Sequence, residues 1–139
     1  MDILSLPFSQ FLGLELVTQD GQQRVGLNPQ QHHQNHLGTV HAGVIYSLAE
    51  IPSGHCLLNE FDLNSDNVLA VVRSATVKYR RPAVGRLTAI GTINAETREK
   101  FAAQLSEKGR AFISVQVSVQ SAEGDVLSAE FQWFGSRES

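Results

Sequence analysis

The sequence predicts an α+β fold in which a curved antiparallel sheet wraps one long central helix, and three observations lead there. Val44 to Ala49 is apolar at almost every position, so the helix that contains it is enclosed on most sides. The second half of the chain alternates with period two, most clearly in Ala111 to Ser121, where Ile113, Val115, Val117 and Val119 interleave with Phe112, Ser114, Gln116, Ser118 and Gln120. Turn signals stand at Asp20-Gly21, Pro82 to Gly85 and Glu123-Gly124-Asp125.

In chain order, Leu4 to Leu12 reads as a short lead-in helix, with Pro7 near its start and Phe8, Phe11 and Leu12 at helical spacing. Leu14 to Leu27 forms a small hairpin about Asp20-Gly21, and the polar run Asn28 to Gln34 is a loop. The central helix begins near His41 and extends toward Asn59. Pro52 and Gly54 lie inside it, so a kink is expected just after Glu50, one that either aims the carboxylate or lets the helix bend within its sheet. Phe61 to Asn67 is a polar connection. Four strand segments follow, Val68 to Arg81, Arg86 to Thr97, Ala111 to Ser121 and Val126 to Phe134, and their short connections predict an antiparallel meander. Arg98 to Arg110 is charged and contains Gly109; it reads either as a loose loop or as strand ends extending outward.

The 139 residues suit one domain, spanning 1–139, with a core that needs no disulfides. Cys56 is the single cysteine, which excludes an intrachain disulfide and points to a reducing compartment. No stretch of about 18 apolar residues offers a membrane span, and the N-terminus lacks a signal-peptide pattern, so a cytoplasmic location is expected. A net charge of −3 argues against nucleic acid as a general partner. The charge is unevenly spread: residues 1–72 hold one base, Arg24, and seven acids, whereas residues 73–139 hold ten bases and seven acids. That second half offers a landing surface for an anionic ligand.

The chemistry concentrates between Asn35 and Glu50. Glu50 ends an apolar run, where an unpaired carboxylate is costly. The first turn around His41, Ala42 and Gly43 leaves amide N–H groups without intrahelical partners, suited to a developing oxyanion. Asn35, which can donate and accept, stands in the loop just before them. Glu50 lies seven residues beyond Gly43, so roughly 10–12 Å separates the acid from the first-turn amides. One helix cannot bring both to one carbonyl; two copies packed antiparallel about a two-fold axis can. An obligate dimer with composite sites is expected.

The order of elements, the run Asn35-x-x-Gly38-Thr39-x-His41-Ala42-Gly43 followed by Leu48-Ala49-Glu50, and the segment Val77-Lys78-Tyr79-Arg80-Arg81-Pro82-Ala83-x-Gly85 resemble the hotdog-fold thioesterase superfamily. Within it the chain resembles specifically the phenylacetic-acid-type and 4-hydroxybenzoyl-CoA-type acyl-CoA thioesterases, and also an uncharacterised hotdog branch with an Asn-His…His-Ala…Glu pattern. The likeness spans about Leu4 to Phe134. The resemblance implies hydrolysis of an acyl-CoA, or of an acyl group on a carrier protein, in a homodimer or a dimer of dimers (a homotetramer). It makes Glu50 the general base or nucleophile, the Ala42 amide the carbonyl-polarising donor from the opposing subunit beside Gly43, and Asn35 the group that orients water or carbonyl. Ala42 stands where those relatives carry glycine, which narrows the space. His41 fixes the loop at the helix start, and Arg80 and Arg81 are candidates to meet the CoA phosphates.

Other chemistries are weaker. His32, His33, His36 and His41 lack zinc-ligand spacing, so no metal and no cofactor are expected. Ser47 is not in a G-x-S-x-G elbow, and Cys56 reads as a core thiol. A non-catalytic acyl-CoA-binding or regulatory module and a hotdog dehydratase or hydratase stand as alternatives.

Overall fold

The computed structural model describes residues 2–61 and 68–137. A six-stranded antiparallel sheet curves around a 20-residue helix, as the hydrophobic patterns predict. The elements are α1 (Pro7–Leu12), β1 (Glu15–Gln19), β2 (Gln22–Leu27), α2 (Ala42–Phe61), β3 (Val68–Tyr79), β4 (Leu87–Thr92), α3 (Ala95–Lys108), β5 (Arg110–Ser121) and β6 (Gly124–Arg137). The connection expected at Phe61 to Asn67 lies outside the described residues, apart from Phe61, which closes α2. A 3-10 turn at Ile3–Ser5 precedes α1, and another at Gln31–His33 interrupts the polar loop. Pro52 sits inside α2, which runs on through it to Phe61.

Leu48 and Ala49 of α2 are wholly buried against Leu27, Leu87, Ala89, Val115 and Phe131 of the sheet. Fully burying an aliphatic side chain of this kind contributes roughly 1.5–3 kcal/mol, so the apolar run of α2 binds helix to sheet. Contact is close where the sheet carries no side chain. A Cβ at Gly91 would fall 3.1 Å from the Pro52 carbonyl oxygen and 3.2 Å from Cys56 Cβ.

Two expectations are corrected. The four later strands do not form a meander: the sheet order is β1-β2-β4-β5-β6-β3. β3 pairs with β6, from Val68 opposite Arg137 to Tyr79 opposite Leu127, and β4 lies between β2 and β5. Pro82 to Gly85 is therefore part of a crossover and not a hairpin turn. Ala83 is buried, and its carbonyl accepts from the Val40 amide at 3.0 Å, which ties the crossover to the segment leading into α2. Three strand spacings amount to roughly 14 Å, well within the roughly 23 Å that the seven residues from Arg80 to Arg86 can span.

The second correction concerns Arg98 to Arg110: Arg98 to Lys108 is most of α3, a 14-residue helix, and only Arg110 opens a strand, β5. Asn94 caps it by accepting the Thr97 amide at 2.8 Å, and Gly109 ends it at φ 73°. Phe101 and Leu105, four residues apart, are its buried face and pack with Leu57, Ala111 and Ile113. A Cβ at Gly135 would lie 2.9 Å from Phe101 Cζ. Gly135→Ala should therefore lower stability by roughly 1–3 kcal/mol, read as an earlier urea midpoint with an unchanged slope; an unchanged midpoint would contradict this packing.

Candidate active site

The start of α2 is held from several sides. The His41 amide donates to the His33 carbonyl at 2.8 Å, and the His41 carbonyl accepts from Val44 at 3.0 Å and Ile45 at 3.1 Å. His41 Nδ1 accepts the Gly43 amide at 2.8 Å, so the ring caps the helix and, when neutral, carries its proton on Nε2. Of the two amides expected to be donors, Gly43 is thus engaged within its own chain. The Ala42 amide has no acceptor among the described residues and lies on an exposed residue. It is the available donor.

Asn35 closes the loop before this turn. Its Oδ1 accepts from the Leu37 amide at 2.9 Å and the Thr39 amide at 3.1 Å, while Nδ2 donates to Thr39 Oγ1 at 2.8 Å. Its backbone amide donates to the Thr39 carbonyl at 2.8 Å. One Nδ2 hydrogen remains beyond these bonds. His33, which receives the helix start, is buried, and burial first and the His32 charge second hold its pKa down; its Nδ1 accepts from the Gln30 amide at 2.9 Å.

Tyr79 is a site residue that the sequence reading passed over. It ends β3, and its hydroxyl donates to the Ala42 carbonyl at 3.1 Å, joining the edge strand to the helix start. Its signal was its phase, two residues beyond Val77 on the alternating strand. Arg80 and Arg81 follow at the same end. Arg80 Nε donates to Ser128 Oγ at 2.7 Å. Arg81 is more fully committed, donating to the carbonyls of Asp125 at 3.1 Å and Glu123 at 2.7 Å in the β5–β6 turn.

Glu50 stands apart from this group. It lies eight residues beyond Ala42, about 12 Å along the helix, on the wall of a cleft of about 310 Å³ between α2 and the start of β3. Among the described residues the rest of the lining is apolar apart from the indole of Trp133. No cation lies within ion-pair distance of its carboxylate among the described residues. Burial raises its pKa above the usual carboxylate value. Below it, Ser53 Oγ donates to the Glu50 carbonyl and accepts from Trp133 Nε1 at 3.0 Å. That pairing links residues 80 apart, and no local pattern announces it.

One chain thus groups Asn35, His41, Ala42, Gly43 and Tyr79 at the helix start, with Arg80 and Arg81 beyond, and sets Glu50 in a separate apolar cleft. The cleft opens beside β3, a 12-residue edge strand on which Leu69, Val71, Val72 and Tyr79 are exposed. Among the described residues, no three His, Cys, Asp or Glu side chains converge as metal ligands, and no helix is long and apolar enough to cross a membrane.

Residues 13–134 match the model of a family described as a domain of unknown function, DUF4442. The chain belongs to that family. The DUF4442 fold is that of the hotdog thioesterase superfamily. A Pseudomonas aeruginosa protein of unknown function, described as a probable thioesterase, shares 26% identity and superposes with a TM-score of 0.82 over 98% of this chain and 91% of its own. A Bacillus halodurans protein crystallised with CoA shares 21% identity, with a TM-score of 0.71 over 97% of this chain and 82% of its own. A Haemophilus influenzae thioesterase shares 20% identity, with a TM-score of 0.71 over 97% and 86%. No curated protein sequence matches the DUF4442 chain.

The cap on Gly43 is directly testable. His41→Ala removes its acceptor and should cost about 1 kcal/mol of stability, whereas His41→Asn, which can still accept, should cost less than half of that. Equal loss in both variants would contradict the cap.

Proposed function

We propose that this chain is an acyl-CoA thioesterase that acts as a homodimer, with each site shared between two protomers. The observation that carries the reading is a half-buried Glu50 in an apolar cleft, without an ion-pair partner among the described residues, while the amide of exposed Ala42 on the same helix has no acceptor among them. The open β3 edge supports the dimer, since a long exposed strand is a template for pairing, and the strand carries the cleft-lining Val68 and Ala70 at one end and Tyr79 at the other. Pairing of two β3 strands about a two-fold axis sets the two α2 helices antiparallel, so that Glu50 of one protomer meets Ala42 of its partner. Two such dimers would form the tetramer that the sequence resemblance allows.

In this arrangement the Glu50 carboxylate takes a proton from water, whose oxygen attacks the thioester carbon. The carbonyl oxygen becomes an oxyanion held by the Ala42 N–H, while the bare backbone of Gly43 makes room for the His41 ring that caps the turn. Collapse breaks the C–S bond, and the thiolate takes the proton from Glu50. Attack by Glu50 itself would instead give an anhydride, and water opening it at the Glu50 carbonyl would place ¹⁸O in the Glu50 side chain in a single turnover in H₂¹⁸O. The spare Nδ2 hydrogen of Asn35 is available to orient water or carbonyl, His41 holds the turn, and the free guanidinium N–H groups of Arg80 suit a CoA phosphate, with Arg81 bracing the turn beside it. The CoA bound to the Bacillus halodurans relative supports a CoA ester over an acyl carrier protein. An aqueous, cytoplasmic setting fits a soluble CoA ester.

Thiol release from a panel of acyl-CoAs tests the activity. Glu50→Gln should lower kcat by about 10²–10⁴-fold while the protein stays folded; full activity in that variant would refute the role of Glu50. Absence of release in the parent protein, with CoA esters still bound, would favour the non-catalytic module. The pH behaviour carries a second signature. Since burial makes the folded chain hold the Glu50 proton more tightly than the unfolded chain does, stability is withdrawn as pH rises from the unfolded pKa through the folded one. Glu50→Gln should therefore raise Tm at pH 7 and leave it nearly unchanged in acid, while the acid limb of kcat/KM in the parent protein lies above the usual carboxylate pKa. A lower Tm at pH 7 would contradict the burial of an unpaired charge.

A further inference from the structure

The cleft beside Glu50 has a length and a wall chemistry, and together they specify an acyl group. On the helix side it runs from Glu50 past Gly54 and Leu57 to Leu58; on the sheet side it is walled by Val68, Ala70 and Trp133. Eight residues of helix separate Glu50 from Leu58, about 12 Å of rise. An extended alkyl chain advances about 1.25 Å per carbon, the projection of a 1.5 Å bond at a near-tetrahedral angle, so eight to ten carbons fill that length. The volume gives the same size: about 310 Å³ holds about ten groups that each take the roughly 30 Å³ of one water in the liquid.

The walls discriminate by chemistry. Trp133 lies so close to the bare backbone of Gly54 that a Cβ there would stand 3.1 Å from its Cη2. Its one polar hydrogen is spent on Ser53 Oγ at 3.0 Å. Beyond Glu50, therefore, the lining presents no free donor or acceptor side chain among the described residues, and a hydroxylated aromatic acyl group would bury its hydroxyl unpaired against them. Ile3 and Leu6 also line the cleft. Ile3 opens the N-terminal 3-10 turn and Leu6 closes it, and the turn is braced by Asp2: its Oδ1 accepts the Leu4 amide at 3.0 Å and its carbonyl accepts the Ser5 hydroxyl at 2.7 Å. Leu6 is 39% exposed, so one side of it meets solvent and the other the cleft.

We propose that this cleft is the acyl chamber for a saturated, unbranched chain of about eight to ten carbons, with the N-terminal turn carrying Ile3 and Leu6 as the stop that sets its length. This rests on the thioesterase reading and adds the substrate class. The carbonyl sits at Glu50, and the chain runs toward the C-terminal half of α2, away from the helix start and the arginines.

Saturated acyl-CoAs from acetyl to palmitoyl, together with 4-hydroxybenzoyl-CoA, test the proposal. Thiol release should give kcat/KM rising about fourfold per added methylene up to octanoyl or decanoyl and falling beyond, with 4-hydroxybenzoyl-CoA well below octanoyl-CoA. Leu6→Ala should move the optimum to longer chains, and Ala70→Phe, which fills the chamber, to shorter ones. Thiol release that is indifferent to chain length, or an optimum unmoved in both variants, overturns the chamber while leaving the thioesterase reading intact. If no ester is cleaved, that reading fails and the chamber is tested by binding, because Trp133 is the only tryptophan in the chain and lines the cleft. Trp133 emission titrated with the same CoA esters should then report affinity that tightens with chain length up to about ten carbons; unchanged emission, or affinity independent of length, overturns it.

Discussion

The rise of an α-helix sets the terms on which this protein works. At 1.5 Å per residue, the Ala42 amide and the Glu50 carboxylate of one α2 stand about 12 Å apart, and no side-chain rotamer closes that gap. A carbonyl that needs a donor at its oxygen and a base near its carbon must find them on two helices. The proposed dimer follows from this separation, and so does the otherwise wasteful placing of an acid in an apolar wall. Retaining Glu50 costs stability because burial disfavours its charged form and no cation among the described residues offsets it. The same desolvation makes the carboxylate a stronger base.

The fold serves this geometry at both ends of the helix. At its start, His33 receives the chain, His41 caps Gly43, the crossover is held by the bond from Val40 to Ala83, and Tyr79 reaches the Ala42 carbonyl. These bonds tie up neighbouring polar groups and leave the Ala42 amide without an acceptor among the described residues. Further along, the Trp133–Ser53 bond fixes the floor of the cleft under Glu50. The rigid core beneath, from Leu48 to Phe131, keeps both regions on a single frame.

The fold class, α2, the first hairpin and the strand segments were legible because each is written in local periodicity: 3.6 for helices, two for strands. Strand order was not, because the link from β3 to β4 is as short as a hairpin link, and only the non-local pairing of β3 with β6 shows it to be a crossover. α3 was missed although its signals were present, with Asn94 before it, Gly109 after it, and Phe101 and Leu105 four apart; two buried residues among many charges make a narrow stripe. In the site, Glu50 and Ala42 stood out as an acid in an apolar run and an unpaired helix start. The capture of the Gly43 amide by His41, the full use of Asn35 Oδ1 by its own loop and the role of Tyr79 depend on side-chain direction, which spacing does not encode.

Sharing of the site between protomers is tested most directly by complementation. Ala42 is the first residue of α2, where proline is tolerated, so Ala42→Pro deletes the proposed donor N–H without breaking the helix, and Glu50→Gln deletes the base. Each variant alone should release almost no thiol from a saturated acyl-CoA. Coexpressed in equal amounts, half of the dimers are mixed and each mixed dimer regains one intact site, so activity should return to about a quarter of the parent level. A mixture as inactive as its two components, or an Ala42→Pro protein that hydrolyses at the parent rate, would contradict the account.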